Sequence, residues 1–145
     1  MGPTTQWICD VCNTPIVQAA DGWVEWIEYE DVGRKRGRDL RLVHHRPASP
    51  QPKGCQADQQ ANYKKDQGSV SDPDLNSFLG PDGLIRLLSI LSDGEIPQGA
   101  LFDLIQRLHI PGYEQARPYF EEAIARGVIE PNLPAGFYRR TRSRL

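Results

Sequence analysis

Cys9-Asp10-Val11-Cys12, answered much later by His44-His45 and then by Cys55, constrains this chain more than any other stretch of its 145 residues. These are its only three cysteines, so a disulfide framework would leave one thiol over, whereas three thiols and one imidazole make a complete tetrahedral set. A two-residue gap between cysteines lets a tight knuckle turn both sulfurs, and often a backbone N–H, toward one ion. A thioredoxin-like redox pair would want a strand before it and a helix directly after, and Asn13-Thr14-Pro15 blocks an immediate helix. The spacing therefore predicts one Zn2+ held by Cys9, Cys12, Cys55 and either His44 or His45.

Short β elements should surround these ligands. Trp7-Ile8 leads into the knuckle and Pro15-Ile16-Val17 leads out of it. Trp23 to Glu30 is rich in aromatic and β-branched residues, with Val24 and Trp26 on one face and Trp23, Ile27 and Tyr29 on the other, so it reads as a strand covered on both sides. Leu40 to His45 is its expected partner. The intervening Asp31 to Asp39, with two glycines and four cations, suits an exposed hairpin loop. Strand alternation puts Leu40, Leu42 and His44 together and His45 opposite, which favours His44 as the ligand. Arg46 to Gly54 contains three prolines and reads as a loop delivering Cys55, and Gln56 to Lys65 as a short polar helix.

A knuckle, a hairpin and a helix whose first turn supplies a ligand resemble the treble-clef zinc modules, and the resemblance spans residues 6–66. It implies a fold for which the metal is a determinant, because so small a segment buries little apolar surface. Gln67 to Asp74 has the composition of a linker, which sets expected bounds of 1–66 for the zinc module, 67–80 for the linker and 81–145 for a second domain. The overall class expected is α+β.

Beyond residue 80 the apolar period becomes helical. Leu84, Leu87, Leu88 and Leu91 mark one helix after Pro81, and Leu101, Leu104, Ile105 and Leu108 mark a second that Pro111-Gly112 ends. A third starts near Arg117 after a turn at Tyr113 to Ala116, turns Phe120, Ala123 and Ile124 inward, and stops at Gly127. Val128-Ile129-Glu130 and Phe137 to Arg140 form a terminal hairpin. Three helices and a hairpin resemble a winged helix-turn-helix over residues 82–142, a fold used for DNA and for protein partners alike.

Charge sharpens the functional expectations. Residues 1–67 carry nine basic and nine acidic groups, 68–136 carry four and ten, and 137–145 carry four and none. Two basic clusters, Arg34, Lys35, Arg36, Arg38 and Arg41 in the first half and Arg139, Arg140, Arg142 and Arg144 near the C-terminus, point to phosphate contacts, with Arg117 and Arg126 available on the third helix. A zinc-containing, non-catalytic nucleic-acid-binding protein, with a DNA-binding regulator as its favoured form, is thus the leading expectation, and a protein-interaction adaptor, in contact with a partner or with a second copy, is the alternative. A His-Asn-His nuclease would need a catalytic metal held by a further histidine after Asn62, and none occurs between Tyr63 and Pro73. His109 fits a helix C-terminus and Trp23, Trp26 and Tyr29 fit a core. With no 18-residue apolar run and no basic-then-apolar leader at Met1 to Gln6, the expected location is cytoplasmic, away from membranes.

Overall fold

The computed structural model describes residues 4–127, and they form an α+β fold. Strands β1 (Trp7–Ile8) and β2 (Pro15–Ile16) make a small antiparallel pair around the knuckle. Strands β3 (Gly22–Asp31), β4 (Arg34–His44) and β5 (Ser69–Ser71) make a second antiparallel sheet in the order β4-β3-β5. Helix α1 (Gln59–Asp66) lies between β4 and β5 in sequence, and α2 (Gly80–Asp93), α3 (Gln98–His109), α4 (Tyr113–Ala116) and α5 (Phe120–Ala125) follow.

The expected long cationic loop is instead a β-ribbon. Both strands run to its end and only Val32-Gly33 connects them, with φ of 51° and 73°. Two consecutive left-handed residues make the tight hairpin turn whose twist matches that of the strands, so the flanking residues pair directly. Arg34 to Asp39 are therefore strand residues: Asp31 faces Arg34, Glu30 faces Lys35 and Tyr29 faces Arg36. Alternating opposite charges across the ribbon favour pairing where a polar stretch suggests a loop. The register slips between Glu25 and Ile27, opposite Asp39, which has φ of 56°. This bulge explains the imperfect alternation, since it lets Val24, Glu25, Trp26 and Ile27 all be buried.

Residues 67–80, expected as a linker, carry structure of their own. Ser69 to Ser71 pair with Glu28 to Trp26, and Leu75 and Phe78 in a short 3-10 turn are fully buried. Their polar neighbours satisfy backbone and caps: the Gln59 side chain accepts from Val70 N–H, and Asp74 caps the 3-10 turn through Ser77 N–H. Only two large apolar residues in this stretch enter the core, too few to show as a periodic pattern.

One buried apolar cluster joins both halves. Trp7, Cys9, Ile16, Leu42 and Cys55 pack in it with Leu75, Phe78, Leu87, Ile96, Leu101, Leu104 and Leu108. Two glycines permit the close approaches. A Cβ on Gly83 would sit 2.1 Å from the Phe78 carbonyl carbon, and one on Gly37 would sit 2.7 Å from Ile96. The helical faces are narrower than the periodicity suggests. Leu87 is buried but Leu88 is exposed, and on α5 Ala123 is buried while Ile124 is exposed. Pro118 lies in a 3-10 turn, Arg117–Tyr119, between α4 and α5, where its missing N–H costs little. The terminal hairpin expected from Val128 onward lies outside the described residues. Among those described, no helix is long and apolar enough to cross a membrane.

Candidate metal centre

The four ligands converge from three separate segments. Cys9 and Cys12 come from the knuckle after β1, where Asn13 at φ 60° reverses the chain and its N–H bonds the Cys9 carbonyl at 3.0 Å. His44 ends β4. Cys55 sits in the loop before α1. Their donor atoms, three Sγ and one ring nitrogen, all lie within 4.8 Å of one another. His44 Nδ1 is 3.3 Å from Cys12 Sγ and 3.9 Å from Cys55 Sγ. Bond lengths of about 2.3 Å to sulfur and about 2.0 Å to nitrogen put tetrahedral ligand atoms roughly 3.5–3.8 Å apart, so the set is sized for one ion.

Secondary contacts choose the ligand atom on His44. Its Nε2–H donates to the Pro15 carbonyl at 3.0 Å, which leaves the Nδ1 lone pair directed at the thiols. Each sulfur also has a partner: Val11 N–H donates to Cys9 at 3.4 Å, Thr14 Oγ1 lies 3.0 Å from Cys12 and Ser49 Oγ lies 3.1 Å from Cys55. Burial pushes the Cys12 thiol up, but hydrogen bonds with Thr14, Cys9 and Cys55 outweigh it and bring it down to about 7. Burial pushes Cys55 up to about 11, with Ser49 pulling the other way and the neighbouring Cys12 and Cys9 adding to the rise. A dication has to displace the Cys55 proton, so binding releases protons and strengthens as pH rises through the neutral range.

His45 lies outside the cluster. Its ring stacks on Trp23, with centroids 4.6 Å apart. Replacing His44 by Ala is expected to abolish stoichiometric metal, and replacing His45 by Ala to leave about one ion per chain; native mass spectrometry reads both.

The treble-clef expectation that the first turn of a helix supplies a ligand does not describe this site. Asp58 caps α1 by accepting from Gln60 and Ala61 N–H, so Cys55 precedes the helix and lies in the proline-containing loop. Glu25, buried at 1% exposure, fixes that loop by accepting from Ala57 N–H at 2.9 and 3.1 Å.

The knuckle is clamped from outside as well. Asp10 N–H donates to the Leu42 carbonyl and its carboxylate accepts from Leu42 N–H, both at 2.8 Å. The same carboxylate pairs with Arg107 at 2.9 Å. Arg107, 3% exposed, also donates to Glu114 at 2.9 Å and to the Ile8 carbonyl at 2.9 Å, while Glu114 accepts from Ile8 N–H at 3.0 Å. The sequence shows Glu114 only as a negative charge beside the third helix, and Arg107 gives a weak signal. The available signal was an arginine at the position following Leu104 by three, on the apolar face of α3.

The cations expected to meet nucleic acid are dispersed and mostly paired. Arg38 bonds Asp39, Asp66 at 3.0 Å and Asn62 at 3.0 Å; Arg41 meets Glu25 at 3.5 Å and Lys35 meets Glu28 at 3.4 Å. Arg117 contacts Asp103 and Glu114, and Arg126 contacts Glu122 at 2.7 Å. Arg34 and Arg36, near the ribbon end, have no acidic partner within ion-pair distance among the described residues. Arg139, Arg140, Arg142 and Arg144 lie outside them.

The comparisons add no relative. No family model, curated protein or solved structure matches the chain.

Proposed function

We propose that this protein is a non-catalytic binding module built around a structural Zn2+ ion. The observation that carries this is the closed Cys9-Cys12-His44-Cys55 set, in which every tetrahedral position is a protein side chain. Structural zinc sites are closed in this way, whereas catalytic ones keep a position open for water or substrate, and thiolates with one imidazole suit zinc over calcium or magnesium.

The partner we propose is protein. Val32 at the ribbon tip is 95% exposed, a large apolar residue held in a left-handed conformation that β-branched side chains rarely adopt. The strands behind it carry Glu28, Glu30 and Asp31 against Arg34, Lys35 and Arg36, a balance that offers no net attraction to a polyanion. The second reading, nucleic-acid binding by a DNA regulator, is favoured by the unpaired Arg34 and Arg36. A winged-helix arrangement of residues 81–145 depends on segments outside those described.

Fluorescence anisotropy with mixed-sequence duplex and single strands at low salt separates the two. The protein reading expects no binding that fades with salt. Binding whose slope of log K against log salt falls by about 0.9 per lost phosphate contact when Arg34 and Arg36 become Ala would replace it with the nucleic-acid one.

A further inference from the structure

We infer that Arg107 is a latch on the metal centre, a positioning residue on α3 that governs how fast the ion leaves. The inference rests on the zinc reading above and deepens it, because it concerns regulation of that same site. Asp10 lies between the two knuckle cysteines, and its carboxylate is held at once by Leu42 N–H and by the Arg107 guanidinium. Opening the knuckle swings Asp10 away from both. Ile8, one residue before Cys9, is held on its two backbone groups by the same pair, its carbonyl by Arg107 and its N–H by Glu114. Three contacts from α3 and α4 thus fall on the residues flanking Cys9, although about a hundred positions of sequence separate them.

The latch is buried but borders an open cleft, in which Arg117 is its more exposed member. Glu114 and Arg117 line a cleft of about 580 Å³ with Ile8, Asn13, Asp103 and Pro118. Arg117, itself only part-buried, donates to the same Glu114 Oε1 that receives Arg107. Whatever competes for Glu114 in that cleft loosens Arg107, then Asp10, then the turn carrying Cys9 and Cys12. By linkage the effect is reciprocal, and the state of the metal is felt at the α3–α4 surface.

The test measures transfer of zinc from loaded full-length protein to a chromogenic chelator, in wild type, in Glu114→Gln and in Leu87→Ala. Leu87 is buried on α2 and makes none of the latch contacts. Glu114→Gln should release zinc about 10- to 100-fold faster, the range by which affinity falls when outer partners of a metal site are lost, here carried by the off-rate, and hydrogen exchange should rise at Cys9 to Asn13 while the metal is still bound. Leu87→Ala, which weakens the core cluster shared with Cys9 and Cys55 but leaves the latch intact, should speed release less than Glu114→Gln does and leave exchange at Cys9 to Asn13 as in wild type while the metal is bound. Equal acceleration in both variants would mean that release follows global unfolding, and an unchanged rate in Glu114→Gln would mean that the network does not hold the site; either overturns the latch. If Glu114→Gln does not fold, Arg107→Lys, which keeps the charge but cannot span Asp10, Glu114 and Ile8 together, carries the same expectation. Wild-type protein that binds no zinc overturns the metal reading itself, whereas normal binding with unaltered release in the variants removes the latch alone.

Discussion

Stripping the metal with a strong chelator is expected to unfold residues 4–127 as a whole, α2 and α3 included. Structural zinc can supply about 10 kcal/mol or more of folding free energy, and domains of this size are stable by only about 5–15 kcal/mol. The ligands are not appended to the core but belong to it, with Cys9 and Cys55 buried in the cluster that holds Phe78, Leu87 and Leu104. Replacing Cys9 or Cys55 by Ser should have the same result. Far-UV circular dichroism and hydrogen exchange check it. Retained protection in α2 and α3 after chelation would mean two independently stable halves, as the expected boundary at 67–80 implied.

Arg107→Ala should cost about 3–5 kcal/mol, the usual consequence of removing one partner from a buried ion pair. Glu114 is 2% exposed and would keep, among the described residues, Arg117 and Ile8 N–H as partners. The guanidinium stays charged in the fold because Glu114 and Asp10 outweigh the burial that opposes it. Replacing both Arg107 and Glu114 by apolar residues of similar volume should be milder than Arg107→Ala, since the buried Glu114 carboxylate is removed with its partner and Asp10, 27% exposed, keeps Leu42 N–H. Denaturant midpoints at saturating zinc give the comparison; a single-variant loss below about 1 kcal/mol would make the pair a minor contributor.

Much of the metal centre was legible because ligand chemistry is written in residue type and spacing. Cysteine arithmetic found Cys9, Cys12 and Cys55, and strand alternation selected His44, which the structure places in the cluster while His45 stacks on Trp23. The two longer helices were legible for a similar reason: Leu101, Leu104 and Leu108 recur at the helical period and are buried. What escaped was set by long-range pairing. Arg34 to Asp39 look like a loop until Glu30 and Asp31 are placed opposite them, and Ser69 to Ser71 look like a linker until Glu28 to Trp26 supply the ladder. Arg107 and Glu114 look like solvated charges until Asp10 and Ile8 arrive from the other end of the chain. Local composition carries no record of such partners.

Strand β4 lies at the border of its sheet, eleven residues long, and among the described residues its outer side is hydrogen-bonded by Asp10 at Leu42 and by the Glu95 carbonyl at Gly37. One of these guards belongs to the knuckle. A chain that has lost its ion therefore bares the Leu42 peptide groups in a β-prone stretch ready to template another chain. Metal starvation should then yield insoluble, strand-paired material and not a quietly refoldable monomer.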